Sequence, residues 1–563
     1  MRAGPAPQVT EPIVRTEPLG GSPLARAAID GQRGEWYPDI PRSEQAWTGR
    51  VEAVRASSTR EWLETIRSAL SASGTAAARL ARVTSGRGVV VTTGQQPGLF
   101  GGPIYTWSKA LSALTLADEI EAATGIPAAP VFWAANDDAD FAEASWTAVA
   151  VPGGAERLTV AAGAPLGRTM ADMPLGDVAP AFAALLRACG ATLDPRPIDA
   201  VRAAYRDGAT VGGAYLSLLR ALFEPLGIAV LDAAHASVAE AARPFLLRAL
   251  DRANAVAEAL RERDEAILAA GFSPQVAEVA GLSLVFERAR DRGDKRRIPL
   301  SEAAAVAAQG DSARPGLLSP NVLLRPVIER AILPTVAYVA GPGELSYFAQ
   351  VSAVAPTLSL DAPLAVPRWS TTILEPHVLR ILSSLGLEEA ELAEPHRAEG
   401  RLAKAAMSPA LTRALGDLRQ EVVRRSGAVS SALEGSDLPL PAEVIEGAQR
   451  AIDHRLDRLE RRVVAAAKRR ETDVMTQIAT ARGALFPLGA RQERALNMLP
   501  FIARHGSVII DRMITEARAH ARSLVGRDGE TNASAASQTT RRTSGSESDV
   551  SAPRVESART ADA

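Results

Sequence analysis

The alternation of short apolar runs with longer amphipathic stretches between residues 59 and 350 is the feature that most restricts the fold of this chain. Four runs have the length and β-branched or apolar content of buried strands, at 89–93, 130–135, 228–232 and 335–340. The stretches between them are rich in Ala and Leu at helical spacing. This alternation is typical of a parallel sheet covered by helices. We therefore predict an α/β fold with a Rossmann-like parallel-sheet core and inserted helical segments.

The pattern changes near Glu375, and the following 150 or so residues carry no strand signal. Apolar residues recur at heptad spacing in 411–429 and again in 452–466, on either side of the breaker EGSDLPLP. Two heptad helices joined by a Gly/Pro turn are typical of an antiparallel coiled-coil hairpin.

We expect four segments along the chain. They are an N-terminal extension at 1–58 that packs on the core, a Rossmann-like core domain at 59–375, an all-α coiled-coil domain at 376–525 and a disordered tail at 526–563. The tail is assigned because its Ser, Thr, Ala and Arg residues offer almost no large apolar side chain to bury.

Composition excludes several classes of protein. With 63 Lys and Arg against 65 Asp and Glu, the formal net charge is -2, which excludes the strongly basic field of a general nucleic-acid binder. The single cysteine, Cys189, excludes an internal disulfide and a cysteine-ligated metal cluster, and it fits a reducing compartment. No segment reads as a signal peptide or membrane helix. We expect a cytoplasmic protein with no nucleic-acid or membrane partner.

A Gly-rich turn follows the first predicted strand in VVVTTGQQPGLFGGPIYTWSKA. Backbone amides in such a turn and the positive end of the next helix can face an anion. The spacing matches neither the dinucleotide fingerprint nor a phosphate-binding loop, so a tight turn that only needs small residues is an equal alternative. The candidate substrate- or nucleotide-binding residues here are Gly94, Gln95, Gln96, Gly98, Tyr105 and Lys109.

Three carboxylates, Asp137, Asp138 and Asp140, follow the second predicted strand in APVFWAANDDADFAE. Ligands of open α/β sheets bind at the carboxyl ends of the strands. Carboxylates there can hold Mg²⁺ or accept a proton, so these residues are candidate catalytic groups, with Asp138 and Asp140 as candidate Mg²⁺ ligands. The alternative role is capping of the next helix.

A second strand, Gly-turn and helix unit is indicated by LPTVAYVAGPGELSYFAQ. Its candidate binding residues are Gly341, Gly343 and Glu344, together with the flanking Arg325 and, further on, Arg368. Since an unpaired charge beside apolar residues is costly, Arg325 and Glu344 either pair with each other or face a ligand. The planar guanidinium of Arg368 suits a carboxylate or phosphate.

These motifs resemble those of the bacillithiol-biosynthesis cysteine-adding enzymes, the BshC family of cysteine ligases. The matching segments are TTGQQPGLFGGPIYTWSKA, PVFWAANDDADFAE, RPVIERAILPTVAYVAGPGELSYFAQ, VPRWSTTILE and PLGARQERALNMLPFIARHG. The resemblance implies a Rossmann-like core, a coiled-coil domain, and a ligase that joins the carboxyl group of cysteine to the amine of glucosaminyl-malate. ATP and Mg²⁺ are expected from ligase chemistry, because a carboxylate is a poor electrophile, and not from a nucleotide motif.

Two positions depart from the family pattern. Ser108 stands where the family usually has His, and Ala139 stands where the family sequence Gly-Glu-Asp-His-Asp has its His. Both changes remove an imidazole from the expected site. Three alternatives therefore stay open beside the ligase: a non-catalytic accessory or binding protein, a different transferase on a nucleotide-binding scaffold, and a coiled-coil interaction protein. We also expect a homodimer that associates through the helical hairpin.

Overall fold

The computed structural model describes residues 10–70, 72–288, 295–309, 317–434, 436 and 440–527, so nearly all of the predicted tail lies outside the described residues. The strands are β1 Ile13–Thr16, β2 Val89–Gln95, β3 Ala128–Ala134, β4 Trp146–Val151, β5 Gly154–Thr159, β6 Ala229–Asp232, β7 Leu282–Arg288, β8 Lys295–Pro299, β9 Leu317–Pro320, β10 Thr335–Ala340, β11 Ala365–Pro367 and β12 Thr371–Leu374.

The helices fall into two groups along the chain. Those up to the end of the parallel sheet are α1 Pro23–Ile29, α2 Glu44–Ser57, α3 Trp62–Ile66, α4 Gly74–Ser85, α5 Ile104–Thr124, α6 Phe141–Ala144, α7 Ala179–Cys189, α8 Arg196–Ala204, α9 Val211–Phe223, α10 Ala236–Asp251, α11 Ala253–Ala269, α12 Leu300–Gln309, α13 Arg325–Ile332 and α14 Pro342–Thr357. Those that follow are α15 Pro376–Leu385, α16 Glu389–Ala393, α17 Arg397–Ala405, α18 Pro409–Glu434, α19 Ala442–Arg470, α20 Thr472–Leu485, α21 Gln492–Ala495, α22 Leu499–His505 and α23 Ser507–Val525.

A five-stranded parallel sheet forms the centre, in the order β11-β10-β2-β3-β6. The four strands predicted from the sequence are adjacent members of it, and each is buried along most or all of its length. Residues buried on both faces are expected of parallel strands, because helices cover both sides of such a sheet. The predicted fold class, a Rossmann-like α/β core followed by a helical coiled-coil region, is confirmed.

Helix α5 carries the Gly-rich turn at its start and is buried around most of its circumference. One side lies on β2 and β3, and another lies against α23, where Thr115 Oγ1 donates to the carbonyl of Ala517 at 3.2 Å. The Glu119 carboxylate accepts from Arg527 at 2.8 Å. A helix that is apolar on all sides belongs in a core, and here the end of the described chain completes that core.

The C-terminal region divides into a projecting hairpin and a docked part. Helices α18 and α19 form the hairpin, joined by ion pairs such as Arg419 with Asp457 at 2.7 Å. No described residue of α18 is buried, and Leu418 and Leu459 of the predicted apolar seam keep 42% and 43% of their surface exposed. The hairpin therefore leaves apolar surface uncovered within one chain.

The docked part, α20 to α23, returns to the core through buried hydrogen bonds. Gln492 accepts from the amide of Ile373 at 2.7 Å and donates to its carbonyl at 2.8 Å. At the start of α15, Glu375 is 3% exposed and accepts from Arg504 and His505 at 2.8 Å. Burial alone would raise the pKa of Glu375, but these two partners outweigh it and lower the pKa to about 2.

Three small antiparallel sheets complete the fold around the core. The hairpin of β4 and β5 packs on α20, and β8, β7 and β9 form a separate three-stranded sheet. Strand β1 pairs with β12. Among the described helices, none is both long and apolar enough to pass through a bilayer.

Candidate functional site

The candidate site lies at the carboxyl edge of the parallel sheet, between β2 and β10. The chain runs from β2 outward to β3 and β6, then returns to place β10 on the other side of β2. The place between β2 and β10, where the strand order changes direction, is the topological switch point of the sheet. The loops that follow these two strands diverge there, and open α/β sheets bind ligands in the resulting crevice. A cleft of about 900 Å³ opens there. The sequence-predicted residues that line it are Gly94, Gln95, Gln96, Tyr105, Lys109, Asp137, Asp138, Arg325, Gly341, Gly343, Glu344 and Arg368.

Gly98 does not line the cleft and serves the turn itself. A Cβ atom at this position would lie 2.7 Å from the Cα of Gly102, closer than real contacts allow. The turn also holds Phe100 at a φ of 53°, where its amide donates to the hydroxyl of Tyr205 at 2.8 Å. The alternative role that the sequence left open, a tight turn that needs small residues, therefore explains Gly98. Gly94 and the two glutamines instead face the cleft.

A buried ion pair forms one wall of the cleft. Lys109 Nζ lies 2.5 Å from Glu344 Oε2 and donates to the carbonyl of Gly94 at 2.8 Å and to Gln95 Oε1 at 3.0 Å. Burial lowers the pKa of Lys109, and the charge of Glu344 opposes that effect. This lysine thereby connects the two Gly-rich turns, since Glu344 also accepts from the Gly341 amide at 2.7 Å.

Arg325 and Glu344 do not pair directly. Arg325 donates to Glu329 at 3.1 Å and to the hydroxyl of Tyr338 at 3.1 Å, and that hydroxyl donates to Glu344 at 2.6 Å. Burial raises the pKa of Glu329 to about 7 against the opposing charge of Arg325. Tyr338 thus links two ion pairs into one network beneath the cleft.

The three predicted carboxylates separate into different roles. Asp138 accepts from Gln96 and from the amides of Ala139 at 2.6 Å and Asp140 at 3.3 Å. Asp137 lies 3.7 Å from Lys295 Nζ. Asp140 caps α6 by accepting from the backbone amide of its third residue at 3.1 Å and is not among the residues that line the cleft. Of the three carboxylates, only Asp137 and Asp138 therefore line the cleft in which a ligand could bind.

Arg368 is 2% exposed and forms two parallel hydrogen bonds of 2.7 Å with Glu493. Its charge is therefore already neutralised by the protein. Arg494, the next residue after Glu493, lines the cleft and lies 5.8 Å from the ring centre of Tyr105. It forms no salt bridge with any described residue, which leaves its charge available to an anionic ligand.

Sequence reasoning did not single out four charged residues of the cleft: Glu143, Lys295, Arg297 and Arg494. Glu143 and Arg494 lie inside quoted motifs, DFAE and RQER, so the motif boundaries could have pointed to them. Lys295 and Arg297 lie on β8, in a stretch where only their positive charge marks them. Their arrival at the cleft depends on the three-stranded sheet, which no local pattern indicated.

Two further titratable side chains, those of His235 and Cys189, lie outside the cleft. His235 caps α10 by accepting from the Ser237 amide at 3.1 Å. Cys189 is buried, and burial raises the pKa of its thiol to about 11, so it is not a thiolate. Within the described part of the chain, no group of three or more His, Cys, Asp or Glu is placed to hold a metal ion.

Comparison with known proteins agrees with this architecture. Residues 32–369 match the family described as "Bacillithiol biosynthesis BshC, N-terminal Rossmann-like domain". Residues 371–523 match "Bacillithiol biosynthesis BshC, C-terminal coiled-coil domain".

Curated relatives of similar length also match. A protein of Koribacter versatilis is 33% identical over 476 residues, which is 81% of this chain and 86% of the relative. A protein of Solibacter usitatus is 32% identical over 436 residues, 76% of this chain and 82% of the relative. One from Geobacillus kaustophilus is 27% identical over 479 residues, 81% and 87% respectively. All three carry the name "Putative cysteine ligase BshC". On its two matched domains and these relatives, the chain belongs to the BshC family of bacillithiol biosynthesis.

Proposed function

We propose that this protein is a cysteine ligase of bacillithiol biosynthesis that joins the carboxyl group of cysteine to the amine of glucosaminyl-malate through an amide bond. The observation that carries the proposal is the cleft at the switch point, lined by both cations and carboxylates, in a chain whose relatives bear that name. Its volume lies in the range of small-molecule sites. Amide formation needs two small polar substrates held side by side, which a site of this size and polarity suits.

The residues of the cleft divide into holding and orienting groups. Arg494 and Arg297 face the cleft without a carboxylate partner among the described residues, so we assign them to the anionic groups of the substrates. Lys109 orients Gln95 and the Gly94 carbonyl, because its ammonium donates to both. Arg368, already paired with Glu493, acts as a positioning residue.

ATP and Mg²⁺ are proposed as co-substrate and metal. The residues present fit a metal that arrives on phosphate oxygens, because Asp137 and Asp138 line the cleft and Mg²⁺ in such sites takes one or two protein carboxylates. Both oxygens of Asp138 already accept hydrogen bonds, which leaves Asp137 as the more accessible ligand. Bound ATP supplies the leaving group that the cysteine carboxylate lacks.

We also propose that the enzyme works in the cytoplasm as a homodimer. A lone cysteine and a thiol-containing substrate fit a reducing compartment. The exposed apolar seam of α18 and α19 supports association of two copies, since a single chain leaves that surface uncovered.

The direct test is product formation by the purified protein. Cysteine, glucosaminyl-malate and ATP with Mg²⁺ are incubated with the enzyme, and the amide product is measured by mass spectrometry while the nucleotide products are separated by chromatography. Lys109→Met should lower the rate on the order of 10²-fold or more, because the wall of the cleft loses the charge that orients Gln95. Lys404→Met, at an exposed position of α17, is the matched control and should leave the rate unchanged.

Absence of product with every substrate combination would reject the ligase proposal. Binding of the same substrates by calorimetry, without turnover, would then favour the accessory or binding protein that Ser108 and Ala139 suggest. Equal rates for the wild type and Lys109→Met would reject the role assigned to this cleft.

A further inference from the structure

The cleft contains no imidazole to accept a proton. All six histidines lie in the described part of the chain, and none lines the cleft. Ser108 is fully buried within α5, and Ala139 has no titratable group. An amine that forms an amide bond must lose a proton, so the ligase proposed above, on which this inference rests, needs a different acceptor.

Four carboxyl groups line the cleft, those of Asp137, Asp138, Glu143 and Glu344. Glu344 and Asp137 face the ammonium groups of Lys109 and Lys295, and both oxygens of Asp138 already accept hydrogen bonds. Glu143 differs from these three, because it forms no salt bridge with any described residue and its Oε1 accepts from the uncharged amide of Gln95. A carboxylate that already neutralises a buried cation is a poor base, because protonation would leave that cation unpaired. Glu143 carries no such penalty.

The position of Glu143 is fixed from two directions. It lies in the first turn of α6, whose N-cap is the side chain of Asp140. Its Oε1 accepts from Gln95 Nε2 at 3.2 Å, and that amide also donates to the Tyr105 hydroxyl at 3.1 Å. Gln95 is itself held by Lys109 through its other atom, Oε1, at 3.0 Å. The carboxyl group is therefore held in place without being neutralised.

The surroundings of Glu143 favour proton uptake. Burial raises its pKa, and the charge of Asp140 raises it further. The charge of Asp138 adds to this effect in the metal-free site, because a cation bound to that carboxylate would cancel it. Lys109 and the Tyr105 hydroxyl act in the opposite direction. From α9, Tyr215 also faces this group. A carboxylate whose pKa lies above its ordinary value takes a proton more readily near neutral pH.

We propose that Glu143 is the general base that accepts the proton of the acceptor amine. The amine nitrogen forms its bond to the carboxyl carbon of nucleotide-activated cysteine. The bond from that carbon to the leaving oxygen breaks, and the oxygen departs on the phosphate with the bonding electron pair. The nitrogen releases one proton, which passes to the Glu143 carboxylate and from there to solvent.

The test compares Glu143→Gln with the wild type in the amide assay, across a range of pH. Gln keeps an oxygen that accepts from Gln95 and nearly the same volume, but it cannot take a proton at these pH values. We expect kcat to fall about 10²- to 10⁴-fold with little change in the KM of the amine substrate. The wild type should lose activity on the acid side as Glu143 becomes protonated, and the residual activity of the variant should lack that acid limb.

Two further variants make the result specific. Glu143→Asp keeps a carboxylate in a displaced position and should retain more activity than Glu143→Gln. Glu64→Gln, at an exposed position of α3, is the matched control and should behave as the wild type. Circular dichroism checks that each variant is folded.

The outcomes separate this inference from the ligase proposal. If the wild type forms amide and Glu143→Gln does so within fivefold with the same acid limb, the base assignment is wrong while the ligase stands. A large loss with an unchanged acid limb also overturns it, because that result marks a structural role. If the wild type forms no amide, the ligase proposal fails and this inference fails with it.

Discussion

The buried pair of Arg368 and Glu493 offers the sharpest test of how the C-terminal region is held on the core. Both side chains are at most 3% exposed, and two hydrogen bonds of 2.7 Å join them. Glu493 also accepts from Ser370 at 2.9 Å. Replacing Glu493 by Ala leaves a buried guanidinium without a counter-charge, which typically costs about 3 to 5 kcal/mol.

Because each 1.4 kcal/mol is tenfold in an equilibrium constant, Glu493→Ala should raise local opening about a hundredfold to several thousandfold. Hydrogen exchange of peptides that cover β12 and α21, measured by mass spectrometry, reports this opening directly. The paired variant Arg368→Met with Glu493→Leu should recover most of the protection, since replacing both charges by apolar groups of similar volume is often close to neutral. Exchange in Glu493→Ala within threefold of the wild type would refute the idea that this pair clamps the two regions together.

Three further outcomes follow from the fold. Glu375→Gln should lower the free energy of unfolding by about 3 kcal/mol at pH 7, because the pKa of Glu375 lies at about 2 instead of the ordinary 4.5. In guanidinium unfolding, this difference from the wild type should persist above pH 5 and shrink as the pH falls towards 2, where the carboxylate becomes protonated. Gly483→Ala should destabilise by about 1 to 3 kcal/mol, because a Cβ would lie 2.0 Å from the carbonyl oxygen of Gly154. At Gly416, in exposed α18, an added Cβ would have no neighbouring atom within 4 Å, so Gly416→Ala should stabilise the protein by up to about 1 kcal/mol. Thermal unfolding of the two glycine variants checks that one lowers the stability and the other raises it.

The sequence predicted local elements well because their signals are local. Strands β2, β3, β6 and β10 were recognisable from buried β-branched runs between helical stretches, and all four lie in the sheet. Their order was not predictable, since β10 lies beside β2 although 246 positions separate Thr93 of β2 from Val339 of β10, which accepts its hydrogen bond. That order creates the switch point, so the cleft itself follows from non-local pairing.

The candidate site shows the same division. Gln95 and Glu344 come shortly after predicted strands, Lys109 lies on the helix that follows the first of these strands, and the structure brings the three together. Asp140 has the same local setting, yet it caps a short helix. Arg368 meets a partner 125 positions away, which turns an expected ligand contact into an internal ion pair. Residue type and position after a strand identify a candidate side chain. Whether its charge is neutralised depends on a partner from a distant part of the chain, which the local sequence does not show.

Helix α5 has a consequence for how this protein is made. The helix is buried nearly all round, and one of its sides packs against α23, where the Thr115 hydroxyl donates to the carbonyl of a residue 402 positions later. At a synthesis rate of about 5 to 20 residues per second, that side waits on the order of 20 to 80 s on the ribosome before its cover emerges. During this time the nascent chain exposes the apolar side of α5 that later packs against α23. The yield of folded protein in the cell should therefore depend on chaperones that bind exposed apolar surfaces while translation continues.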